Sequence, residues 1–194
     1  MGKRAEQKER QRQHLLEVSL DLFVHKGYHG TTVRDITKQA HTSEGLLFHY
    51  FPTKEAILEE LATFTTVGTS SALTLLDAPA PPLQIFEQIA EMSLQYLEEP
   101  TASGLFLLVN QIKTLESIPD HIKQIVGAYD TVRASVPLIR KGQYSGELKS
   151  GDPLALSLAF WGALQGIAEL RLWFPEAPVP DARCIVDILK QGQE

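Results

Sequence analysis

The stretch Thr31–Glu55 reads TTVRDITKQAHTSEGLLFHYFPTKE and decides the fold of this chain. It predicts a short helix capped by Thr32, a tight turn, a second short helix capped by Ser43, and a third helix capped by Thr53. Pro52 ends the second helix, because proline cannot continue it and disfavours helical geometry in the residue before it. Two short helices joined by so few residues form a helix-turn-helix, whose second helix can enter the major groove of DNA.

The second short helix has an unusual outward face. At about 100° per residue, Leu47 and Phe51 fall together on the side that packs against the preceding helix. Gly45, Phe48 and His49 fall on the opposite side. A face of glycine, aromatic and histidine is unusual for a solvated helix, so it indicates a surface that meets a partner.

The side chains around this face suit DNA. Gly45 allows close approach to base edges, His49 and Tyr50 can hydrogen-bond to phosphates or bases, and Leu46 can touch a thymine methyl group. The alternative for His49 and Tyr50 is partial burial in a small domain.

The starts of the two short helices offer a second kind of contact. Free backbone N–H groups near Thr32 and Ser43 can hold phosphates, and the side chains of these residues and of Lys54 can add backbone contacts. The alternative is that the three side chains only cap or solvate helix ends.

The segment Ala40–Glu55 resembles the DNA-binding motif of the TetR (tetracycline-repressor) family of bacterial regulators. The best match is GLLFHYFPTKE at Gly45–Glu55, where the family typically shows glycine, a small residue, leucine, tyrosine, an aromatic or histidine pair, phenylalanine and then a lysine opening the next helix. The resemblance implies DNA contacts by Thr32, Ser43, Gly45, His49, Tyr50 and Lys54. The full set of predicted DNA-binding residues is Thr32, Thr42, Ser43, Glu44, Gly45, Leu46, Phe48, His49, Tyr50 and Lys54.

Three departures from the family pattern bear on the target sequence. Phe48 stands where a tyrosine is common, so one phosphate-bonding hydroxyl is missing. Glu44 stands where lysine or another polar residue is usual, and it can accept a bond from cytosine or sit favourably on the helix dipole. His41 and Thr42 replace the common glycine and valine of the turn, and histidine tolerates a positive φ better than most residues.

Apolar residues recur at helical spacing along almost the whole chain, which predicts an all-α fold of about nine helices. We expect a three-helix helix-turn-helix DNA-binding domain at 1–54 and a helical ligand-binding and dimerisation domain at 55–194. The fourth helix is expected to end near 68–71, and one helix is expected over 120–141.

Charge is distributed unevenly along the 194 residues. The net charge is −6, yet nine Lys/Arg stand against seven Asp/Glu up to Glu55. A positively charged N-terminal region, up to Glu55, followed by an acidic remainder of the chain suits a DNA-binding regulator, although scattered solvated charge is the alternative. The single cysteine, Cys184, fits a reducing cytoplasm. We expect no secretory signal and no membrane span, since the most apolar window, Pro153–Ala168, is shorter than the ~20 residues a span needs.

A single helix-turn-helix reads few base pairs, and such proteins usually dimerise so that two recognition helices meet half-sites ~34 Å apart. The predicted helix Pro153–Phe174 is apolar nearly all round, and the resemblance also implies dimerisation through the last two helices. A purely internal core helix is the alternative. The predicted interface residues are Ala163, Leu164, Ile167, Leu170, Ile185 and Ile188.

The body is expected to bind an unidentified small molecule, although ordinary core packing is the favoured alternative for any single candidate residue. By the resemblance, the ligand would change the spacing of the two DNA-binding domains and release DNA, through its different affinity for the two conformations. No cofactor and no metal are expected. The predicted ligand-binding residues are Phe86, Phe106, Asn110, Tyr129, Phe160 and Trp161.

An enzyme is not expected, because the sequence has no phosphate-binding glycine loop, no zinc-spaced His/Cys set and no nucleophile motif. No catalytic residue is therefore assigned. The predicted function is a homodimeric transcriptional regulator that binds a palindromic operator in double-stranded DNA, most simply a ligand-released repressor. The alternative is a helical adaptor or activator of the same fold with lost or altered DNA binding.

Overall fold

The structure, a computed structural model, describes residues 2–99 and 101–192. The described chain is helical, and its only β-type pairing is an isolated antiparallel bridge between Leu148 and Lys190. The predicted all-α class is confirmed. The helices are α1 (Lys3–Lys26), α2 (Val33–Gln39), α3 (Glu44–Tyr50), α4 (Lys54–Leu76), α5 (Pro82–Tyr96), α6 (Ala102–Thr114), α7 (Asp120–Gly127), α8 (Thr131–Ala134), α9 (Val136–Tyr144), α10 (Pro153–Trp173) and α11 (Ala182–Val186).

The predicted caps of the helix-turn-helix are all formed. The Thr32 hydroxyl accepts from the Asp35 backbone N–H at 3.1 Å, and the Asp35 carboxylate accepts from the Thr32 N–H at 2.9 Å, which completes a capping box. The Ser43 and Thr53 side chains cap α3 and α4 in the same manner. Local hydrogen bonds therefore fix the start of each helix.

The Asp35 carboxylate makes the stability of this region depend on pH. The backbone N–H of Thr32, its hydroxyl and the Lys26 ammonium lower the pKa of Asp35 from 3.8 to about 2. Because this pKa is depressed on folding, the stabilisation is present above pH 3.8 and is lost as the pH falls towards 2. We expect Asp35→Asn to lower the melting temperature at neutral pH. The difference from wild type should narrow between about pH 4 and 2, and a constant difference would contradict this role.

Helix α4 is longer than predicted. It continues past Gly68 to Leu76, although threonine, serine and glycine are poor helix formers. Hydroxyl groups along this part bond back to the helix's own carbonyls, for example Thr69 to Thr65 and Thr74 to Ser70. Packing against α5, α6, α7 and α8 holds the helix beyond the point where propensity would end it.

The helix predicted over 120–141 is divided into α7, α8 and α9. Asp130 caps α8 by accepting from the Arg133 N–H at 2.9 Å, and Pro137 lies in the first turn of α9. Both residues favour the start of a new helix, although the sequence analysis did not predict a break at either of them. The division places Tyr129 and Thr131 at a bend of the chain rather than on one helix face.

Two buried clusters form the core. The first joins α1, α2 and α3 to parts of α4, α6 and α7, and the second joins the rest of the body. Gly104 of α6 lies so close to α1 that an added Cβ would be 3.3 Å from Leu20. The helix-turn-helix region is thus continuous with the body, and the proposed domain boundary at 54/55 crosses a shared core.

By length and composition alone, helix α10 is long and apolar enough to cross a membrane. Core helices of soluble proteins can have the same length and composition. In the fold α10 packs against α6, α8 and α9.

Candidate DNA-binding surface and ligand cavity

The inward side of α3 is as predicted. Leu47 is 0% exposed and Phe51 2% exposed, and both belong to the first core cluster together with Ile36 and Ala40 of α2. Burying these two side chains fixes the rotation of α3, because any other rotation would expose them to water. The outward face therefore has one orientation.

That outward face is open to solvent. Glu44, Gly45 and His49 are exposed, and the apolar side chains of Leu46 and Phe48 are 38% and 44% exposed. Nothing lies within 4 Å of the position where a Cβ of Gly45 would stand. A glycine in open space on a helix stabilises nothing, so its natural use is close approach by another molecule.

Tyr50 and Thr42 are half-buried. The Tyr50 ring packs against the first core cluster and meets the His49 ring edge-on at 5.4 Å. The structure shows the partial burial raised for Tyr50, and its DNA contact stays a prediction, since a packed ring can still present its hydroxyl at the edge of the surface.

The turn before α3 has a strained backbone. His41 has φ 51°, in the left-handed region where most side chains are disfavoured. It is exposed, and Thr42 bonds its N–H to the Thr37 carbonyl at 2.9 Å. The turn keeps its shape without the glycine common in the family.

The Lys54 side chain is turned inward, which corrects the sequence reading. Its ammonium donates to the carbonyls of Tyr28 and Thr31, each at 2.8 Å, and lies 4.2 Å from the centroid of the Tyr28 ring. Burial lowers the pKa of Lys54 from its usual value. These carbonyls take two of the three N–H donors of the ammonium, and through them Lys54 joins α4 to the loop between α1 and α2.

Thr32 and Ser43 act as helix caps, as their alternative reading allowed. Both side chains are exposed at the starts of α2 and α3, so capping leaves their phosphate contacts a prediction.

A cavity of about 610 Å³ lies in the body, between α1, α4, α5, α6, the α7–α8 bend and α10. Four predicted ligand-binding residues line it, namely Phe106, Asn110, Tyr129 and Trp161. The size falls within the usual range of small-molecule sites.

The prediction was wrong for Phe86 and Phe160. Both rings are fully buried and pack against each other with centroids 5.0 Å apart, away from the cavity wall. The sequence could not separate a core aromatic from a lining one, since both lie on apolar helix faces. The sequence analysis did not predict that α4 lines the cavity, although the run of hydroxyl-bearing residues on this helix differs from an ordinary core face. The lining residues of α4 are Leu61, Phe64, Thr65, Thr66, Val67, Gly68, Thr69, Ser71 and Ala72.

The predicted dimer interface needs a similar correction. Leu164 and Ile185 are 1% and 4% exposed and belong to the second core cluster of the same protomer, so they cannot meet a second copy. Ala163, Ile167 and Ile188 are half-buried, and Leu170 is 49% exposed. The sequence reading missed the large apolar side chains that α10 and its end leave exposed, which are Leu154, Leu158, Trp173 and Phe174.

The comparisons with known proteins agree with this arrangement. Residues 15–61 match the sequence model described as bacterial regulatory proteins, tetR family. The transcriptional regulator RutR of Escherichia coli (strain K12) is 28% identical over 173 residues, which cover 87% of this chain and 78% of RutR. The repressor DhaR of Mycobacterium sp. (strain GP1) is 36% identical over 77 residues, which span only 38% of each protein.

The fold is similar to solved regulators. The structure of AibR in complex with isovaleryl coenzyme A and operator DNA superposes with a TM-score of 0.68 at 17% identity, over 91% of this chain and 94% of AibR. The relatives are named as transcriptional regulators and repressors, which agrees with the prediction that the chain is not an enzyme. Residues 15–61 therefore carry the DNA-binding domain of the TetR family, and the whole chain is similar in sequence and fold to transcriptional regulators that contain it.

Proposed function

We propose that the chain is a homodimeric, cytoplasmic repressor that binds a palindromic operator and releases it when a small molecule enters the cavity. The observation that carries the proposal is the outward face of α3, where Gly45 stands in open space among exposed apolar and histidine side chains. A water-facing helix has no use for such a surface, whereas a helix in a major groove does.

The proposed DNA contacts divide into two classes. Glu44, Gly45, Leu46, Phe48 and His49 face outward and are assigned to base edges. The caps at Thr32 and Ser43, together with Thr42 and the Tyr50 hydroxyl, are assigned to phosphates, because they surround the N-terminal ends of α2 and α3. Lys54 is assigned to positioning rather than contact.

The proposed dimer interface is the exposed face of α10. Leu158 and Leu170 project from this face, where Gly162 and Gly166 have nothing within 4 Å of an added Cβ. Glycines without neighbours allow a second helix to approach closely, and flanking leucines supply apolar area. A symmetric pair of such faces would place two α3 helices on one side of the dimer.

The proposed release of DNA runs through α4. This helix begins beside α3, where Lys54 joins it to the loop between α1 and α2, and it lines the cavity from Leu61 to Ala72. Its 23 residues form a helix about 35 Å long, so a small tilt of α4 at the cavity moves the helix-turn-helix. AibR, a protein of similar fold, has been crystallised with a small molecule and operator DNA, so one protein of this fold binds both kinds of ligand.

Selection of bound sequences from random duplex DNA, by folded protein at near-physiological salt, tests the proposal. An enriched palindrome is the expected result, because a twofold dimer reads twofold DNA. The adaptor alternative predicts no enrichment at any salt. An enriched site without dyad symmetry would contradict the dimeric mode of binding while keeping the helix-turn-helix.

The Tyr50 hydroxyl offers a test with little risk to the fold. Tyr50→Phe keeps the ring that packs against the first core cluster and removes only the oxygen. We expect operator binding to weaken roughly five- to tenfold, the effect of one hydrogen bond, with an unchanged melting temperature. Equal affinity of Tyr50→Phe and wild type in a gel-shift titration would remove Tyr50 from the phosphate contacts.

A further inference from the structure

The lining of the cavity changes along α6 from apolar to polar. Leu105, Phe106 and Val109 lie towards the start of the lining face, and Asn110 and Lys113 towards its end. At 1.5 Å per residue, Phe106 and Lys113 are about 10 Å apart along the helix. The apolar end and the polar end of the cavity are therefore separated by about the length of a medium-chain hydrocarbon.

Several other polar side chains of the lining are already hydrogen-bonded within the protein. The Trp161 indole N–H donates to the Ser135 hydroxyl at 2.9 Å, so this ring offers mainly carbon surface to the cavity. On α4, the hydroxyls of Thr65, Thr66 and Thr69 donate to carbonyls of their own helix. A hydrocarbon can lie against these four side chains without leaving their donors unpaired.

At the polar end, three side chains that line the cavity have no partner among the described residues. Lys113 is exposed at the edge of the lining and is its only cation among the described residues, and no described carboxylate forms an ion pair with it. Asp130 is near enough for Lys113 to help lower its pKa, but the larger cause is the Arg133 backbone N–H, and Arg133 also holds this carboxylate at 2.7 Å. The side chains of Asn110 and Tyr129 likewise form no hydrogen bond with other described residues.

The lining contains one anion, and it is placed differently. Glu17 lies on α1 and accepts a hydrogen bond from the Gln13 amide at 3.1 Å, a neutral donor that leaves its negative charge in place. Lys113 is the one positive charge that the described lining offers to an anion.

We propose that the effector is an amphipathic monocarboxylate, whose hydrocarbon lies between Phe106, Met92 and Trp161 and whose carboxylate is bound by Lys113, Asn110 and Tyr129. All three groups can donate, which suits an anionic acceptor. A coenzyme A thioester fits less well, because its several phosphates need a cluster of cations, and the lining has one lysine and no arginine. The inference deepens the effector role proposed above and names its ligand class.

Titration calorimetry on the DNA-free protein with decanoate, decan-1-ol and decanoyl-coenzyme A tests it. Decanoate is expected to bind at least ~10-fold more tightly than the other two, the effect of a charge-assisted hydrogen bond. Lys113→Met should lower the affinity for decanoate roughly 10- to 100-fold and leave the affinity for decan-1-ol unchanged. Lys113→Arg should retain most of the affinity for decanoate. Lys141→Met, which removes an exposed charge outside the cavity, is the matched control.

Equal binding of decanoate by wild type and Lys113→Met would overturn the inference, as would tighter binding of the thioester or no binding of any probe. Because no DNA is present, these outcomes are separate from the operator selection. A protein that selects a palindrome but ignores decanoate keeps the proposed function and loses this ligand class.

Discussion

Leu158→Asp is expected to convert the protein into a folded monomer that no longer holds its operator. Leu158 is 55% exposed on α10, so the charge meets water in the protomer and leaves the core intact. In the dimer it would be buried without a partner, at a cost of several kcal/mol per copy, and a twofold interface holds two copies. The dimer dissociation constant should rise by about 10³-fold or more.

Sedimentation or light scattering measures the oligomer, and a gel-shift titration measures operator affinity. Tyr144→Asp is the matched control, because Tyr144 is 92% exposed on α9 and is not part of the proposed α10 face. It should remain a dimer with wild-type affinity. If the Leu158→Asp protein stays dimeric, this face of α10 is not the dimer interface. The exposed leucines and tryptophan of α10 would then have another role.

Lys54→Met is expected to destabilise the helix-turn-helix without changing how operator affinity depends on salt. The substitution removes two hydrogen bonds from a charged donor, to Tyr28 and Thr31, which together contribute about 2–3 kcal/mol. The melting temperature should fall by roughly 5–10 °C. Operator affinity should also fall, because the loop between α1 and α2 loses its attachment to α4.

The salt dependence separates positioning from contact. A lysine that neutralises a phosphate contributes about 0.9 to the slope of log affinity against log salt, and its removal lowers that slope. We expect an unchanged slope for Lys54→Met, because its ammonium faces carbonyls. A slope reduced by about one, with an unchanged melting temperature, would restore Lys54 as a phosphate contact. Lys38→Met, an exposed charge of α2, is the control for stability and should melt like wild type.

Local sequence determined the helix-turn-helix in detail. Thr32, Ser43 and Thr53 act on N–H groups within three residues of themselves, so their caps can be predicted from sequence alone. The same holds for the buried side of α3, since Leu47 and Phe51 follow the helical period. The extension of α4 was harder to predict, because packing overrode weak local preferences, whereas the break at Asp130 follows from local signals, the Asp130 cap and Pro137.

The residues facing the cavity and the interface were predicted only in part. Phe160 and Trp161 are adjacent in sequence, and both are aromatic, yet only Trp161 lines the cavity. Leu164 is buried and Leu170 exposed on the same apolar helix. Periodicity tells which residues share a face, but not what that face meets when a helix is apolar nearly all round.

The sequence by itself determined the all-α class, the helix-turn-helix, its caps and the resemblance to the TetR family, because these depend on residues close along the chain. Only the tertiary structure decided three things: that Lys54 reaches back to Tyr28 and Thr31, that Lys113 ends the cavity, and that Leu158 faces outward. Each depends on residues far apart in sequence, and their approach is set by the packing of whole helices rather than by local preference.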